Sequence, residues 1–332
     1  ASSLFAGDFE NFDTSNSGLS DNVVNAIVID ANGNKWFGTE NGLSAFDGVN
    51  WVTYKNDENQ QTLADNDIND IAFESGSFGP ELWLATSNGA SVLGIEAIDA
   101  VTKATPYRTD NTDLIDNIVT AVAVDTARDE RWFGTPKGVS RFSSNGWLNF
   151  STDSNSPLAW NDVTAIGVDA DSGWKYICTQ NGVEEMNGVA RLRSSPGDVD
   201  AVTAPSPYNV EWSKLNSRNI NAVFVEAHGA QWLGTDAGLA YHDTTETKKK
   251  WNIFTVIEGL ANDKVNALFK SDDGMVWIGT EGGLDRLDYK IGESGIESYK
   301  FLHFTTAQGL ADNHVNDIAQ DLDGTLWIAT NN

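Results

Sequence analysis

The chain has 332 residues, of which 48 are acidic and 21 basic, so its formal net charge is −27. Such acidity disfavours nucleic acid and anionic membranes as partners, favours cations or neutral ligands, and also keeps a protein soluble. No apolar run reaches the roughly 18 residues that would predict membrane insertion, and the single cysteine, Cys178, excludes an internal disulfide.

The first repeat unit contains four short strand-like segments, at 25–30, 35–39, 43–46 and 51–54. The turn D-A-N-G at 30–33 separates the first two, and Asn and Gly readily adopt the positive φ of tight hairpins. Strands of about five residues with frequent turns predict an antiparallel meander. No sustained apolar period of 3.6 residues is present, which predicts very little helix.

The same unit recurs along the whole chain. Its core, W-F-G-T in the first copy, closes on a threonine in each of seven copies, spaced by 44 to 56 residues. The threonines are Thr39, Thr86, Thr135, Thr179, Thr235, Thr280 and Thr330. Glycine follows three residues later in six copies, and a leucine stands eight residues before a central apolar residue in all seven. We interpret these positions as architectural, packing one blade on the next.

The two ends complement each other. After Thr330 only two residues remain, so the last unit lacks its third and fourth strands. The N-terminus supplies them: Phe5 matches the position of Phe46, and Phe9 and Phe12 match Trp51 and Tyr54. We therefore predict an all-β, single-domain fold over 1–332, a closed seven-bladed β-propeller with four antiparallel strands per blade. Segments 1–12 and 315–332 would share the last blade, and any leader would have been removed before Ala1.

The top rim is defined as the links between units together with the turns before the third strands. Most links carry an Asp-Asn pair, which we expect to hold the turn through side-chain to backbone hydrogen bonds. Trp160, followed by Asn161, and Arg218 depart from this pattern. They are candidates to stack on a sugar or hold a carboxylate, or alternatively to pack on each other.

A polar residue lies two positions before the central apolar residue in each copy, and in a closed ring these residues gather at the channel mouth. They are Asn25, Asn69, Thr120, Thr164, Asn221, Asn266 and Asn316. Two readings stay open, ordered water and a polar pocket. Asp70 and Asp317 occupy the next position, which is alanine in the other copies. With Asp65 and Asp67 they form a weak calcium candidate; we predict no metal site or other cofactor.

The bottom rim comprises the first hairpins and the loops between third and fourth strands. We expect long loops at 94–103, 187–210, 243–249 and 289–298. The insertion 187–210 is the candidate surface for the alternative function, a protein–protein interaction platform.

Catalytic signatures such as HExxH, a P-loop or G-x-S-x-G are absent from the sequence. No catalytic residue is therefore assigned. His314, in the last top-rim link, is the one candidate for a lyase or hydrolase, paired with Asp65 or Asp312.

Segment 19–48, LSDNVVNAIVIDANGNKWFGTENGLSAFDG, closely resembles the two-component regulator propeller repeat. This family builds the extracytoplasmic sensor part of bacterial hybrid histidine kinases, many from Bacteroidetes, that respond to oligosaccharides. Similar repeats occur in secreted proteins and in a type IX secretion component. The resemblance implies a periplasmic or secreted, non-enzymatic recognition module, with a carbohydrate or other small ligand as partner. With one propeller and no kinase or β-sandwich, we expect a sensor fragment or a free-standing propeller.

Overall fold

A computed structural model describes residues 9–56, 62–76, 79–153, 158, 160–180, 189–193, 215, 217–226, 229–243, 251–292 and 295–332. The described residues form seven antiparallel sheets, which we number as blades in chain order. Blades 1, 2, 3, 5 and 6 each contain four strands. Three strands of blade 4 and two of blade 7 lie in the described part of the chain.

The strands of the first three blades are β1 (Val24–Ile29), β2 (Lys35–Thr39), β3 (Gly42–Phe46), β4 (Trp51–Tyr54), β5 (Ile68–Gly76), β6 (Gly79–Thr86), β7 (Gly89–Ala97), β8 (Ala100–Tyr107), β9 (Ala121–Asp125), β10 (Glu130–Thr135), β11 (Gly138–Ser143) and β12 (Gly146–Phe150). Those of blades 4 to 7 are β13 (Val163–Val168), β14 (Trp174–Thr179), β15 (Val189–Arg193), β16 (Ile220–Val225), β17 (Gln231–Thr235), β18 (Gly238–His242), β19 (Trp251–Phe254), β20 (Val265–Lys270), β21 (Val276–Thr280), β22 (Gly283–Gly292), β23 (Gly295–Phe304), β24 (Val315–Gln320) and β25 (Leu326–Thr330). Single 3-10 turns occupy Thr126–Arg128 and Thr306–Gln308.

Each blade is a meander in which consecutive strands pair, as the sequence predicts. The first strand of every blade contacts the first strand of the next, and β24 also contacts β1. The first strands therefore stand side by side around a central channel. This is the architecture of a β-propeller, whose blades bury their faces against one another.

The repeated residues are architectural. The second-strand tryptophans of blades 1, 2, 3, 5 and 6 are buried, and the apolar clusters join neighbouring blades. The glycines after the threonines, Gly42, Gly89, Gly138, Gly238 and Gly283, have φ from +120° to +135°. A Cβ at Gly138 would lie 2.2 Å from the Phe150 carbonyl oxygen. Only glycine fits this turn without strain.

The residue before the threonine in each Trp-x-Gly-Thr segment is small for a different reason, which is the approach of the next blade. A Cβ built at Gly38 would lie 2.6 Å from Ile68, and one at Gly279 would lie 2.6 Å from Val315. In both cases the neighbour begins the first strand of the next blade. The glycine thus allows the next blade to approach closely.

Two bottom-rim predictions need correction. Segments 94–103 and 289–298 are not long loops. They are the distal ends of the extended hairpins β7–β8 and β22–β23, paired as far as Ala97–Ala100 and Gly292–Gly295. The sequence predicted loops here, although Ile95 and Ile98 are buried in the core of blades 1 and 2 and Ile296 in that of blades 5 and 6. Apart from β15, the insertion 187–210 lies outside the described residues.

The N-terminal residues 9–12 form no strand, yet they pack in repeat-specific positions. Phe12 stacks on Trp327 at 5.5 Å, as Tyr54 stacks on Trp36 and Phe150 on Trp132. Phe9 lies over Gly309, as Trp51 lies over Gly18. The structure therefore places both phenylalanines in the positions predicted from the alignment of the ends. Phe5 lies outside the described residues.

The burial of Trp232 leads to a stability prediction. Its side chain is 0% exposed, and its indole N–H donates to Glu226 at 2.7 Å. We expect Trp232→Ala to lower the free energy of unfolding by about 3–5 kcal/mol, because the cavity cannot refill. Trp160, 40% exposed, is the matched control, and Trp160→Ala should change stability by less than about 1 kcal/mol. Urea unfolding measures both; equal losses would contradict the assignment.

Candidate ligand-binding site at the channel mouth

A polar cavity of about 490 Å³ opens at the top of the central channel. Its described lining consists of Asn25, Glu40, Asp67, Asn69, Thr120, Asn266, His314 and Asn316. Five of these belong to the polar set that the repeat alignment predicts at the mouth. Thr164 and Asn221, the other two members of the set, are not among the described lining residues.

A β-bulge explains how the polar residues reach their positions. In six blades the pairing of the first two strands shifts register around this residue, as at Asn25 between Val24 and Ala26. A bulge leaves one residue outside the ladder and turns its side chain in a new direction. Here the side chain crosses to the next blade.

The seven side chains form a ring of hydrogen bonds between blades, which we call the amide ring. Each donates to a backbone carbonyl of the next blade; in six pairs the acceptor begins the first strand of that blade, and Val119 lies two residues before β9. The pairs are Asn25–Ile68, Asn69–Val119, Thr120–Val163, Thr164–Ile220, Asn221–Val265, Asn266–Val315 and Asn316–Val24. Six of the distances lie between 2.5 and 3.2 Å. The last pair connects blade 7 to blade 1.

Asp70 and Asp317 add a second contact to this ring. The Asp70 side chain accepts two backbone N–H groups, that of Val122 in the next blade and that of Ile71, the residue that follows Asp70, both at 2.8 Å. Asp317 accepts the amides of Ile27 and Ile318 in the same way, also at 2.8 Å. Both carboxylates therefore brace a blade boundary, a role that the alanines of the other copies cannot fill.

Burial changes the acidity of both groups. It raises the pKa of Asp70 to about 7, a shift to which the charge of Asp317 adds and which the Val122 amide opposes. It raises the pKa of Asp317 to about 6, against the opposing effect of its two amide donors. Removal from water disfavours the charged form, and this outweighs the hydrogen bonds.

Three further residues stand over the amide ring at the rim of the cavity: Glu40, Asp67 and His314. Asp67 accepts the Ser87 hydroxyl at 2.6 Å, and His314 Nε2 lies 3.4 Å from the Asn266 amide nitrogen. Sequence reasoning did not single out Glu40. The signal was present, since the residue after each closing threonine varies among copies while the threonine does not.

His314 is not paired with a carboxylate as the enzyme alternative requires. Asp312 accepts the backbone N–H of His314 itself at 2.7 Å, and Asp65 accepts that of Asp67 at 3.0 Å. Both carboxylates hold their own turns. Among the described residues, His314 therefore lacks the orienting acid that a general base needs.

The top-rim links follow the architectural interpretation. Asn161 accepts the amide of Thr152 at 2.7 Å, as Asn66 accepts that of Asn56 at 2.6 Å. Asn221 belongs to the amide ring and also donates to Asp236 at 2.8 Å. The first two bonds join the two ends of their own links, and the bond from Asn221 to Asp236 lies within blade 5.

Trp160 and Arg218 are both exposed on the top rim, in the links before blades 4 and 5. Neither belongs to the described lining of the cavity. Within the described part of the chain they do not form the cation–π pair that was the alternative prediction. Their role as ligand contacts remains a prediction.

The hairpin turns that resemble calcium loops use their carboxylates internally. Asp30 accepts the amides of Asn32 and Asn34 and the Trp36 indole N–H. Across the described ranges no group of three or more His, Cys, Asp or Glu side chains is placed to hold a metal. In the same ranges no helix has the length and apolar character needed to cross a membrane.

The sequence matches the family model of the two-component regulator propeller at residues 18–41, 259–282 and 309–332. These three segments are thus similar to the two-component regulator propeller repeat. The resemblance found in segment 19–48 is thereby confirmed, and the match includes the first and last units. No curated protein matches the sequence.

Solved structures show the same fold. The extracellular domain of the hybrid two-component system BT3049 from B. thetaiotaomicron aligns with a TM-score of 0.73 and 21% identity, over 97% of this chain and 40% of that one. PorZ of the type IX secretion system of Porphyromonas gingivalis aligns at 0.68 and 17%, over 97% and 47%. Virginiamycin B lyase from Staphylococcus aureus aligns at 0.61 and 14%, over 93% and 92%.

The propeller of this chain thus spans about two fifths of the length of the two-component sensor domain that it matches. The predicted extracytoplasmic location agrees with that domain, which is extracellular. At these identities the similarity establishes the fold alone.

The raised pKa values of Asp70 and Asp317 predict a pH-dependent stability. The unfolded chain releases these protons near the ordinary aspartate value of about 4, whereas the folded chain holds them until pH of about 6 or 7. The contribution of these two groups to the free energy of unfolding is therefore fully present below about pH 4, and it is lost as the pH rises through 6 to 7.

We expect Asp70→Asn and Asp317→Asn to remove this loss. As the pH rises from 4 to 8, the free energy of unfolding of each variant should therefore increase by about 1–3 kcal/mol relative to that of wild type. Urea unfolding at several pH values measures the difference. Asp171→Asn, at an exposed bottom-rim turn, is the control with the same charge change. Parallel pH profiles for wild type and the two ring variants would contradict the prediction.

Proposed function

We propose that this chain is an extracytoplasmic, non-enzymatic recognition propeller that binds a small polar ligand, an oligosaccharide, at the channel mouth. The observation that carries this proposal is the open cavity of about 490 Å³ lined by amide, carboxylate and imidazole groups. Such groups suit the many hydroxyls of a sugar, and a concave site with a few convergent polar groups is typical of small-ligand recognition.

The family supports the sensing role. Three segments of the chain are similar to the two-component regulator propeller repeat, and the chain shares its fold with the extracellular domain of a two-component system. The unpaired arrangement of His314 favours binding over catalysis. The virginiamycin B lyase has the same fold, but a fold does not determine an activity.

A thermal-shift and glycan-array screen of the purified chain, with and without calcium, tests the binding function. We expect Glu40→Gln and His314→Ala to weaken a ligand hit about tenfold, since one lost hydrogen bond to a charged group is worth about 1.5–3 kcal/mol. Binding that survives these changes but is lost in Trp160→Ala or Arg218→Ala would place the site on the rim of blades 4 and 5 instead.

We also propose that the propeller is closed, with residues 1–8 completing blade 7 beside β25. Three contacts support this: the Asn316–Val24 hydrogen bond, the Lys35–Asp321 ion pair, and the stacking of Phe12 on Trp327. The first two connect blade 7 to blade 1, and the third is a contact between Phe12 of the N-terminal segment and Trp327 of β25.

Deletion of residues 1–8 tests this closure. We expect faster hydrogen exchange of the β25 backbone amides that point away from β24, because these would lose their partners. The amides of β21, the equivalent strand of blade 6, serve as an internal control. Unchanged exchange in β25 would show that residues 1–8 do not pair there.

A further inference from the structure

The amide ring leaves the channel mouth with many hydrogen-bond acceptors and few donors. Each ring asparagine faces a backbone carbonyl oxygen, which only accepts. The side-chain atom facing it must therefore be the nitrogen, and this decides the orientation of the amide. The side-chain oxygens of the ring asparagines are then directed away from the blade boundary.

Most of the second amide hydrogens of the ring asparagines also have hydrogen-bond acceptors. The second amide hydrogens of Asn221 and Asn316 go to Asp236 and Asn331, both at 2.8 Å. That of Asn266 goes to His314 Nε2 at 3.4 Å. Asn69 has a long contact of 3.5 Å to the Ser87 hydroxyl, which itself donates to Asp67.

The two threonines complete the pattern. Each has one hydroxyl hydrogen, and in Thr120 and Thr164 it is directed to backbone carbonyls. In the described part of the chain, only Asn25 among the ring asparagines keeps an amide hydrogen without a partner. A ligand at the mouth therefore meets oxygen lone pairs.

The charged side chains at the rim also favour a ligand that donates hydrogen bonds. Glu40 and Asp67 are carboxylates that line the cavity. The nearby cation Lys264 is paired with Glu281 at 2.7 Å. His314 Nε2 lies 3.4 Å from the Asn266 side-chain nitrogen, which is only a donor.

Resting on the proposed binding function, we propose that the channel mouth selects a ligand with a protonated amine, such as an amino sugar with a free ammonium group. An ammonium offers three donors and a positive charge and no acceptor. It can donate to asparagine oxygens and to Glu40, whose residues line the same cavity. A carboxylate-bearing sugar would find neither donors nor a free cation among the described lining residues.

Three matched disaccharides test this selectivity: chitosan disaccharide, its N-acetylated counterpart, and digalacturonic acid. Calorimetric titration near neutral pH is suitable, since an amine with a pKa of about 8 then carries its proton. We expect the chitosan disaccharide to bind at least about tenfold more tightly than the acetylated one, and the acid not to bind measurably. Glu40→Gln should remove most of this preference.

The matched control is Asp171→Asn, which makes the same change in net charge at the bottom rim and should leave the preference intact. This comparison matters because a chain with a net charge of −27 attracts any cation weakly. Equal losses in the two variants would show non-specific attraction and overturn the inference.

The result also separates the two proposals. If the acetylated or acidic disaccharide binds best and Glu40→Gln or His314→Ala weakens it, the mouth is a ligand site and only the amine selectivity is wrong. If none of the three binds to the folded chain, the amine selectivity is overturned, and the glycan screen alone decides on the binding function.

Discussion

The structure depends on one interaction, the hydrogen bond from a bulged side chain to the backbone carbonyl of the next blade. A blade buries its faces against its neighbours, but apolar faces are non-directional and do not define the angle between blades. The amide ring supplies direction. Because a buried carbonyl without a partner costs about 1–3 kcal/mol, each boundary has a preferred geometry.

The bulge joins this constraint to the repeat sequence. The polar residue, the small residue of the Trp-x-Gly-Thr segment and the first residue of the next strand meet at one boundary. Gly38 allows Ile68 to approach, and Asn25 then reaches the Ile68 carbonyl at 2.9 Å. A larger residue at Gly38 would separate the partners. The two features of the repeat are parts of one contact.

The sequence was sufficient to predict the blades, their meander order and the buried positions, because those depend on local strand patterns repeated seven times. It also predicted that Asn25 and its equivalents gather at the mouth. It did not predict their partners, since a one-residue bulge leaves no mark in the alternation of apolar and polar residues. For the same reason the roles of Asp70 and Asp317 as braces between blades were not foreseen.

Trp160 and Glu40 occupy two different kinds of variable position in the repeat. Trp160 lies in a link, where the equivalent aspartates Asp65 and Asp116 hold turns, and its side chain is exposed. Glu40 follows a closing threonine, at a position where the residue varies among copies, and it lines the channel mouth. Of these two side chains, only Glu40 belongs to the described lining of the cavity.

At the channel mouth, the amide-ring side chains stabilise the fold, whereas the rim residues are available for ligand recognition. Most ring side chains commit their hydrogens to the fold, so apart from Asn25 they contribute lone pairs to a ligand. Among the residues after the threonines, Asp236 and Asn331 accept amide hydrogens from the ring, whereas Glu40 lies at the surface of the mouth. Because the ring holds the backbone beneath it, a residue such as Glu40 can change without moving the blades. The acceptor character of the mouth is therefore a consequence of how the propeller is held together, and the rim residues decide which donors suit it.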